Sequence, residues 1–260
     1  MPRRTYLDAI LGVHRARAAS DPRDLDALVA RAAACPPVRG FRSTLESATR
    51  LSVIAEVKRR SPSKGLLAAN LDPASMARRY EEGGAACLSV LTDGDHFGGS
   101  PQDLEAARAA CTLPVLRKDF TVDARDVCDA RIMGADCVLL IVAALTAEEI
   151  GRFLQVAREV GIDALVEVHD ERELDVALRA GANLVGVNQR DLVTFEVDTA
   201  RAVRMARVIP DDVARVAESG IRGRDDALAL RDAGYDAVLV GEHLVTSDDP
   251  SAAVAALCVD

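Results

Sequence analysis

Four times in this chain a helical stretch closes on glycine, a small or polar stretch follows, and an apolar run begins. The copies are Gly84-Ala85-Ala86-Cys87-Leu88-Ser89-Val90, Gly134-Ala135-Asp136-Cys137-Val138-Leu139-Leu140, Gly181-Ala182-Asn183-Leu184-Val185-Gly186-Val187 and Gly234-Tyr235-Asp236-Ala237-Val238-Leu239-Val240. Glycine closes a helix because it adopts the left-handed conformation without a Cβ penalty. The runs lack apolar–polar alternation, which marks strands buried on both faces, as in a parallel sheet. The copies lie about 50 residues apart with another apolar run between successive copies. Together the runs predict eight strands: Ser52–Val57, Cys87–Thr92, Val115–Lys118, Cys137–Val142, Ala164–Val168, Leu184–Asn188, Arg215–Glu218 and Ala237–Val240.

Helices are predicted between them. Thr146 and Glu149 form a capping box ahead of a helix to Val160, with Ile150, Phe153, Leu154, Ala157 and Val160 on one face. Pro73, Ser100-Pro101 and Asp249-Pro250 mark further helix starts. Repeated strand–helix units close into a (βα)8 barrel or lie in an open doubly wound sheet. Their even spacing favours the barrel, and no Gly-x-Gly-x-x-Gly follows any strand to support a dinucleotide fold. The expected architecture is therefore α/β, a (βα)8 TIM barrel over residues 49–260. Residues 1–48 stand outside the repeat as a helical extension packed on it, with helices over Thr5–Arg17 and Leu25–Ala34 split by Ser20-Asp21-Pro22. The extension is a candidate cover for one mouth of the barrel.

Composition narrows the function. Net charge is −9, without the basic footprint of a nucleic-acid or membrane-surface binder. Aromatics are 3% with no Trp, too few for a base-stacking platform. The longest apolar run, Cys137 to Leu145, is far short of the about 20 residues a bilayer requires. No signal peptide follows Met1-Pro2-Arg3-Arg4-Thr5, and the six scattered cysteines read as reduced thiols in a cytoplasmic protein. The expected partner is a small phosphorylated molecule, with no nucleic acid and no membrane, and the chain is expected as a monomer or weak homodimer.

In such a barrel the active site lies at the C-terminal ends of the strands. Glu56 and Lys58 are two apart, so they project to one face, which in a barrel can be the interior. Charge inside an apolar barrel is costly unless paired. The same cost recurs at Lys118, Glu167, Asn188 and Glu218, each the terminal polar residue of an apolar strand. One such residue reads as a structural ion pair. Six converging on one rim read as acid–base equipment whose members shift one another's pKa. Ser219-Gly220 and Gly241-Glu242 follow strands seven and eight and offer backbone N–H groups where this fold usually binds phosphate.

The run Ile54-Ala55-Glu56-Val57-Lys58-Arg59-Arg60-Ser61-Pro62-Ser63-Lys64-Gly65 resembles the signature of the indole-3-glycerol-phosphate synthase family of tryptophan biosynthesis. Pro114 to Phe120, Leu165 to Val168, Gly186 to Leu192 and Val216 to Ile221 agree in order with that family's other strand ends. The resemblance implies a carboxy-lyase. It would close the pyrrole ring of 1-(2-carboxyphenylamino)-1-deoxyribulose 5-phosphate, releasing CO2 and water, without cofactor or metal. It assigns Lys118 as proton donor to the ketone oxygen, with a pKa expected to fall toward neutrality. Lys58 and Glu167 are its candidates for the acid and base of dehydration, and Glu56 charge-pairs the lysines. Asn188, Arg190 and Ser61 would bind the substrate's carboxylate and hydroxyls, with Glu218 beside them. Phe97, Leu139 and Leu192 would sandwich the aromatic ring. Ser219, Gly220, Gly241 and Glu242 would hold the phosphate.

Three positions depart from the family pattern. His243 replaces a small residue beside the phosphate glycine, and Gln189 replaces one between Asn188 and Arg190. The polar run Asp93-Gly94-Asp95-His96 before Phe97 reads as a mobile loop tip. Other readings of the same residues are a phosphate-binding isomerase, a Schiff-base aldolase using Lys118, and a non-catalytic barrel. The isomerase is disfavoured because Glu56 and Lys58, rather than a cysteine, end strand one.

Overall fold

A computed structural model of the chain describes residues 5–260. The start of the chain, on which the signal-peptide expectation partly rests, lies outside the described residues. Eight parallel strands close into a barrel. They are β1 (Ser52–Val57), β2 (Cys87–Leu91), β3 (Val115–Lys118), β4 (Cys137–Ile141), β5 (Asp163–Val168), β6 (Leu184–Asn188), β7 (Ala214–Glu218) and β8 (Ala237–Val240). Each pairs with its chain neighbours, and β1 closes the ring against β8 in the register Ser52↔Ala237 to Ala55↔Val240. The strand bounds match the sequence expectation to within a residue at either end. The repeat's four glycines have φ values of 88°, 97°, 86° and 94°. That left-handed backbone is what the motif required.

The barrel interior and exterior separate by alternation along each strand. Ile54, Leu116, Leu139, Leu165, Val216 and Leu239 share an inner cluster, whereas Val53, Ala55, Val57, Val138 and Val166 pack outward under the helices. Apolar side chains thus fill the barrel's lower interior, and the next inward positions after Ile54, Leu116, Leu165 and Val216 carry Glu56, Lys118, Glu167 and Glu218. Helices begin at Pro73, Pro101 and Pro250, capped by Asp72, Ser100 and Asp249. The Thr146 capping box and the helix Ala147–Val160 form as predicted.

The extension reaches both ends of the barrel, where a cover for one mouth was expected. Helix α1 (Tyr6–Ala19) lies by the C-terminal rim, where Arg15 donates to Ala144 O and pairs with Glu149, and His14 Nε2 lies 3.1 Å from Asp93. Helix α2 (Leu25–Ala33) packs on the barrel's outer helices. Helix α3 (Phe41–Glu46), which the sequence reading did not anticipate, inserts the fully buried Phe41 and Leu45 into the lower end of the inner cluster.

The Asp of the repeat has a structural reason. Asp136 is fully buried and accepts the N–H of Val115 (2.8 Å), at the start of β3, and the N–H of Arg39 (2.7 Å), in the extension. It also pairs with Arg108. Asp236 likewise accepts an N–H near the start of the neighbouring strand β7, from Arg215 (2.7 Å). Asp136→Ala would remove the acceptor of the partly exposed Arg108 guanidinium and of two backbone N–H groups. Two such N–H groups left unsatisfied cost about 1–3 kcal/mol each, about 2–6 kcal/mol together. A loss of that size is expected in denaturant unfolding; a change under about 1 kcal/mol would contradict this account.

Candidate active site

The upper end of the barrel opens into a cavity of about 760 Å³. Every residue nominated from the sequence for chemistry, substrate or phosphate lines it. The walls come from distant stretches of chain because each strand contributes residues near its C-terminal end.

Lys118 stands at the centre. Its Nζ lies 3.5 Å from Glu167 Oε2 and 3.7 Å from Glu218 Oε2. Glu56, only 4% exposed, pairs with Lys58, accepts from Ser89 Oγ (3.4 Å) and faces Lys118 through space. Burial alone would push the Lys118 ammonium down. The carboxylates of Glu167, Glu218 and Glu56 outweigh it and hold Lys118 above the ordinary lysine range. This corrects the expected fall toward neutrality: the flanking charges are carboxylates rather than a second ammonium.

The two carboxylates on Lys118 are driven apart. Burial opposes ionisation of Glu167, but Lys118, His169 and the 3.0 Å hydrogen bond from Asn188 Nδ2 to Oε1 prevail and lower its pKa. Glu218 is pushed up to about 8, by burial first and then by the charge of Glu167. At neutral pH the pair therefore holds one ionised and one protonated carboxyl, the arrangement that separates base from acid. Two glycines leave room for these charged groups where they stand: a Cβ on Gly186 would displace Glu218 Oε1, and one on Gly241 would displace Glu56 Oε1 and Lys58 Nζ.

Ser219 and Gly220, directly after Glu218, also line the cavity. Their φ values are 68° and 76°, a left-handed pair. A left-handed non-glycine residue is strained unless its surroundings hold it. Gln189 does so, donating from Nε2 to Ser219 O (2.7 Å). This departure from the family pattern thus shapes the turn. His243 lines the cavity half-buried. The Glu242 carboxylate lies 3.6 Å from Lys64 Nζ.

The remaining lining is apolar. Leu139 belongs to the inner core and also faces the cavity, and Leu192 packs against that core. Phe97 lies 6.2 Å from Phe120, ring to ring, in a tilted pair. Phe120 was not singled out from sequence; its place directly after the Lys118-Asp119 strand end was the available signal. The expected mobile tip before Phe97 is instead a short helix, Gly94–Phe97. Asp93, 5% exposed, caps it by accepting His96 N–H (2.7 Å). Arg59 ties the loop after β1 to the same region, pairing with Asp103 and donating to Gly98 O (3.2 Å). Arg190 extends into the cavity, its N–H bonded to Asn188 Oδ1 (3.0 Å) and its guanidinium to Phe195 O (3.1 Å). Ser61 lines the mouth, where its Oγ accepts Lys64 N–H (3.2 Å).

Residues 7–257 match the family model described as Indole-3-glycerol phosphate synthase. A protein of Mycobacterium ulcerans with that name is 51% identical over 97% of this chain and 93% of its own length. Indole-3-glycerol phosphate synthase 2 of Streptomyces coelicolor is 52% identical over 87% of each chain. Among solved structures, a thiamine phosphate pyrophosphorylase from Pyrococcus furiosus superposes with a TM-score of 0.61 at 18% identity, covering 80% of this chain and 93% of that one. An N-acetylmannosamine-6-phosphate 2-epimerase from Clostridium perfringens gives 0.59 at 13%, covering 74% and 86%. At those identities the structures share the fold alone.

Proposed function

Because the chain belongs to the indole-3-glycerol phosphate synthase family, we infer that the cavity's charged cup and its Ser219-Gly220 turn act on one substrate, an anilino-deoxyribulose phosphate. The activity is that of a decarboxylating lyase of tryptophan biosynthesis. The observation that carries the residue assignment is one ammonium, Lys118, held between Glu167 and Glu218 in a cavity that Ser219-Gly220 also lines.

The steps follow from what each group can do. The substrate phosphate sits on the turns at Ser219-Gly220 and Gly241-Glu242, and its aromatic ring lies between Phe97, Phe120, Leu139 and Leu192. Arg190, with Asn188 and Ser61, takes the ring carboxylate and the hydroxyls. The ring carbon bearing the carboxylate attacks the ketone, and Lys118, fully charged at neutral pH, protonates the oxygen as it becomes basic. Loss of CO2 restores the aromatic ring. Dehydration then removes the hydroxyl as water, with Lys58 as acid, and a proton from the adjoining CH2, with Glu167 as base. Glu56 holds Lys58 in place. Glu218 supplies a carboxyl that exchanges its proton near pH 8. A Schiff-base aldolase needs a neutral amine, which the carboxylates around Lys118 oppose. No helix among the described residues is long and apolar enough to cross a membrane. The reading places the chain in the cytoplasm as a monomer or weak homodimer, with a small phosphorylated partner.

The test is turnover of the anilino-deoxyribulose phosphate, followed by indole fluorescence. Inorganic phosphate is expected to inhibit competitively and weakly, since it fills only the phosphate turns. Absence of turnover overturns the reading, and non-competitive inhibition overturns the phosphate assignment.

A further inference from the structure

His169 stands two residues beyond Glu167, just past the end of β5. Its Nδ1 lies 3.0 Å from Glu173 Oε2, on the helix Glu171–Arg179 that follows β5. The same carboxylate oxygen accepts the His169 backbone N–H (2.7 Å). With Nδ1 donating to Glu173, Nε2 is left facing Glu167 Oε1 at 3.7 Å, and it is buried with no hydrogen-bond partner among the described residues. Side-chain exposure rises along this line: 1% at Glu167, 14% at His169 and 22% at Glu173. The reading of the cup above gives Glu173 and His169 no role.

The reaction creates a need for such a line. The ketone oxygen leaves as water and must gain two protons. The CH2 beside it returns one. The ring carboxylate is ionised and leaves as CO2, so it returns none. One proton per turnover must therefore enter from solvent, at the closed end of a cup whose mouth the substrate fills. We propose that Glu173, His169 and Glu167 form the inward proton route that recharges Lys118. The route starts from the doubly protonated imidazole, with Nδ1–H on Glu173 and Nε2–H on Glu167. Nε2 gives its proton to Glu167 Oε1, and Glu167 passes one from Oε2 to the neutral Lys118 amine 3.5 Å away. Glu173 takes a proton from water and gives it to the bare Nε2 when the ring turns over, and the return of the ring restores the starting state. The proton that Glu167 later takes from the CH2 goes to Lys118, which passes one through Glu56 to Lys58, so both lysines end charged. No bond other than these N–H and O–H bonds changes. Burial works against charge on His169, yet Glu173 and Glu167 raise its pKa, with Arg201 opposing them. Glu218 also faces it from β7.

This inference deepens the proposed function and rests on it, so the test includes one arm that needs no activity. In the resting protein, the imidazole 15N signals of His169 are followed against pH. Glu173→Gln keeps an oxygen for both N–H groups but loses the charge and the ability to carry a proton. It is expected to lower the His169 titration midpoint, and an unchanged midpoint overturns the Glu173–His169 link. In turnover, His169→Gln and Glu173→Gln are expected to lower kcat about tenfold to a hundredfold, toward the low end of general acid–base contributions. KM should stay near the wild-type value, and the solvent deuterium isotope effect on kcat should grow as proton entry becomes limiting. Wild-type kcat in both variants, or a loss confined to KM or to thermal stability, overturns the route. Failure of wild-type turnover would instead count against the proposed function.

Discussion

Lys118→Ala is expected to lower kcat by at least about 10⁴-fold while leaving the substrate's phosphate and ring contacts in place. The size follows from two losses that act on the same step. General acid catalysis contributes about 10²- to 10⁴-fold, and a fixed charge beside a developing oxyanion about 10²- to 10³-fold more. No neighbour can substitute. Lys58 is engaged by Glu56, and the other groups against Lys118 are carboxylates. The variant also leaves Glu56, Glu167 and Glu218 facing one another without their shared cation, so they take up protons on folding. Their folded pKa values then lie above the unfolded values. That stability is present at pH below the unfolded carboxylate range and is lost as pH rises through the folded pKa. Unfolding measured from pH 5 to 9 should therefore show the variant losing stability relative to wild type toward the alkaline end. A variant that turns over within tenfold of wild type would remove Lys118 from the chemistry.

The sign of the Lys118 shift marks where sequence stops being informative. That Lys118, Glu167 and Glu218 meet was legible, because each is the polar end of an apolar strand and a barrel brings all strand ends to one rim. Whether burial or the carboxylates prevail depends on separations of 3.5 and 3.7 Å, which no spacing along the chain contains. The strands themselves were legible because left-handed glycines and unbroken apolar runs are local signals. The plug helix Phe41–Glu46 gave no such signal. It spans under two turns, starts at a left-handed Gly40 without a side-chain cap, and is held by Phe41 and Leu45 packing against residues far away in sequence. The short helix Gly94–Phe97 shows the reverse case. Its polar residues resemble a mobile tip, but Asp93 turns inward to cap it and to meet His14 across from the extension. Gln189 looked like a minor departure, and its bond to Ser219 O appears only once β6 and β7 are side by side.

Glu167→Gln should cut kcat by about 10²- to 10⁴-fold, the range for a positioned base, without unfolding the protein. The amide oxygen can still accept from Asn188 Nδ2, now at 3.0 Å from Oε1, and the side-chain volume is nearly unchanged. What disappears is the negative charge. Glu218 is held up to about 8 first by burial and then by that charge, so its pKa should fall in the variant. The rate that remains would then lose its protonated Glu218 at lower pH, moving the alkaline limb of the profile toward acid. Lys118 also loses one of the three carboxylates that hold it up, a shift in the same direction. A change of Glu167 that acted only through packing would scale the whole profile down without moving the limb. Measuring kcat against pH in wild type and variant separates the two. An unmoved limb alongside a full loss of rate would show that Glu167 and Glu218 do not share their titration, and a rate near wild type would remove Glu167 as the base.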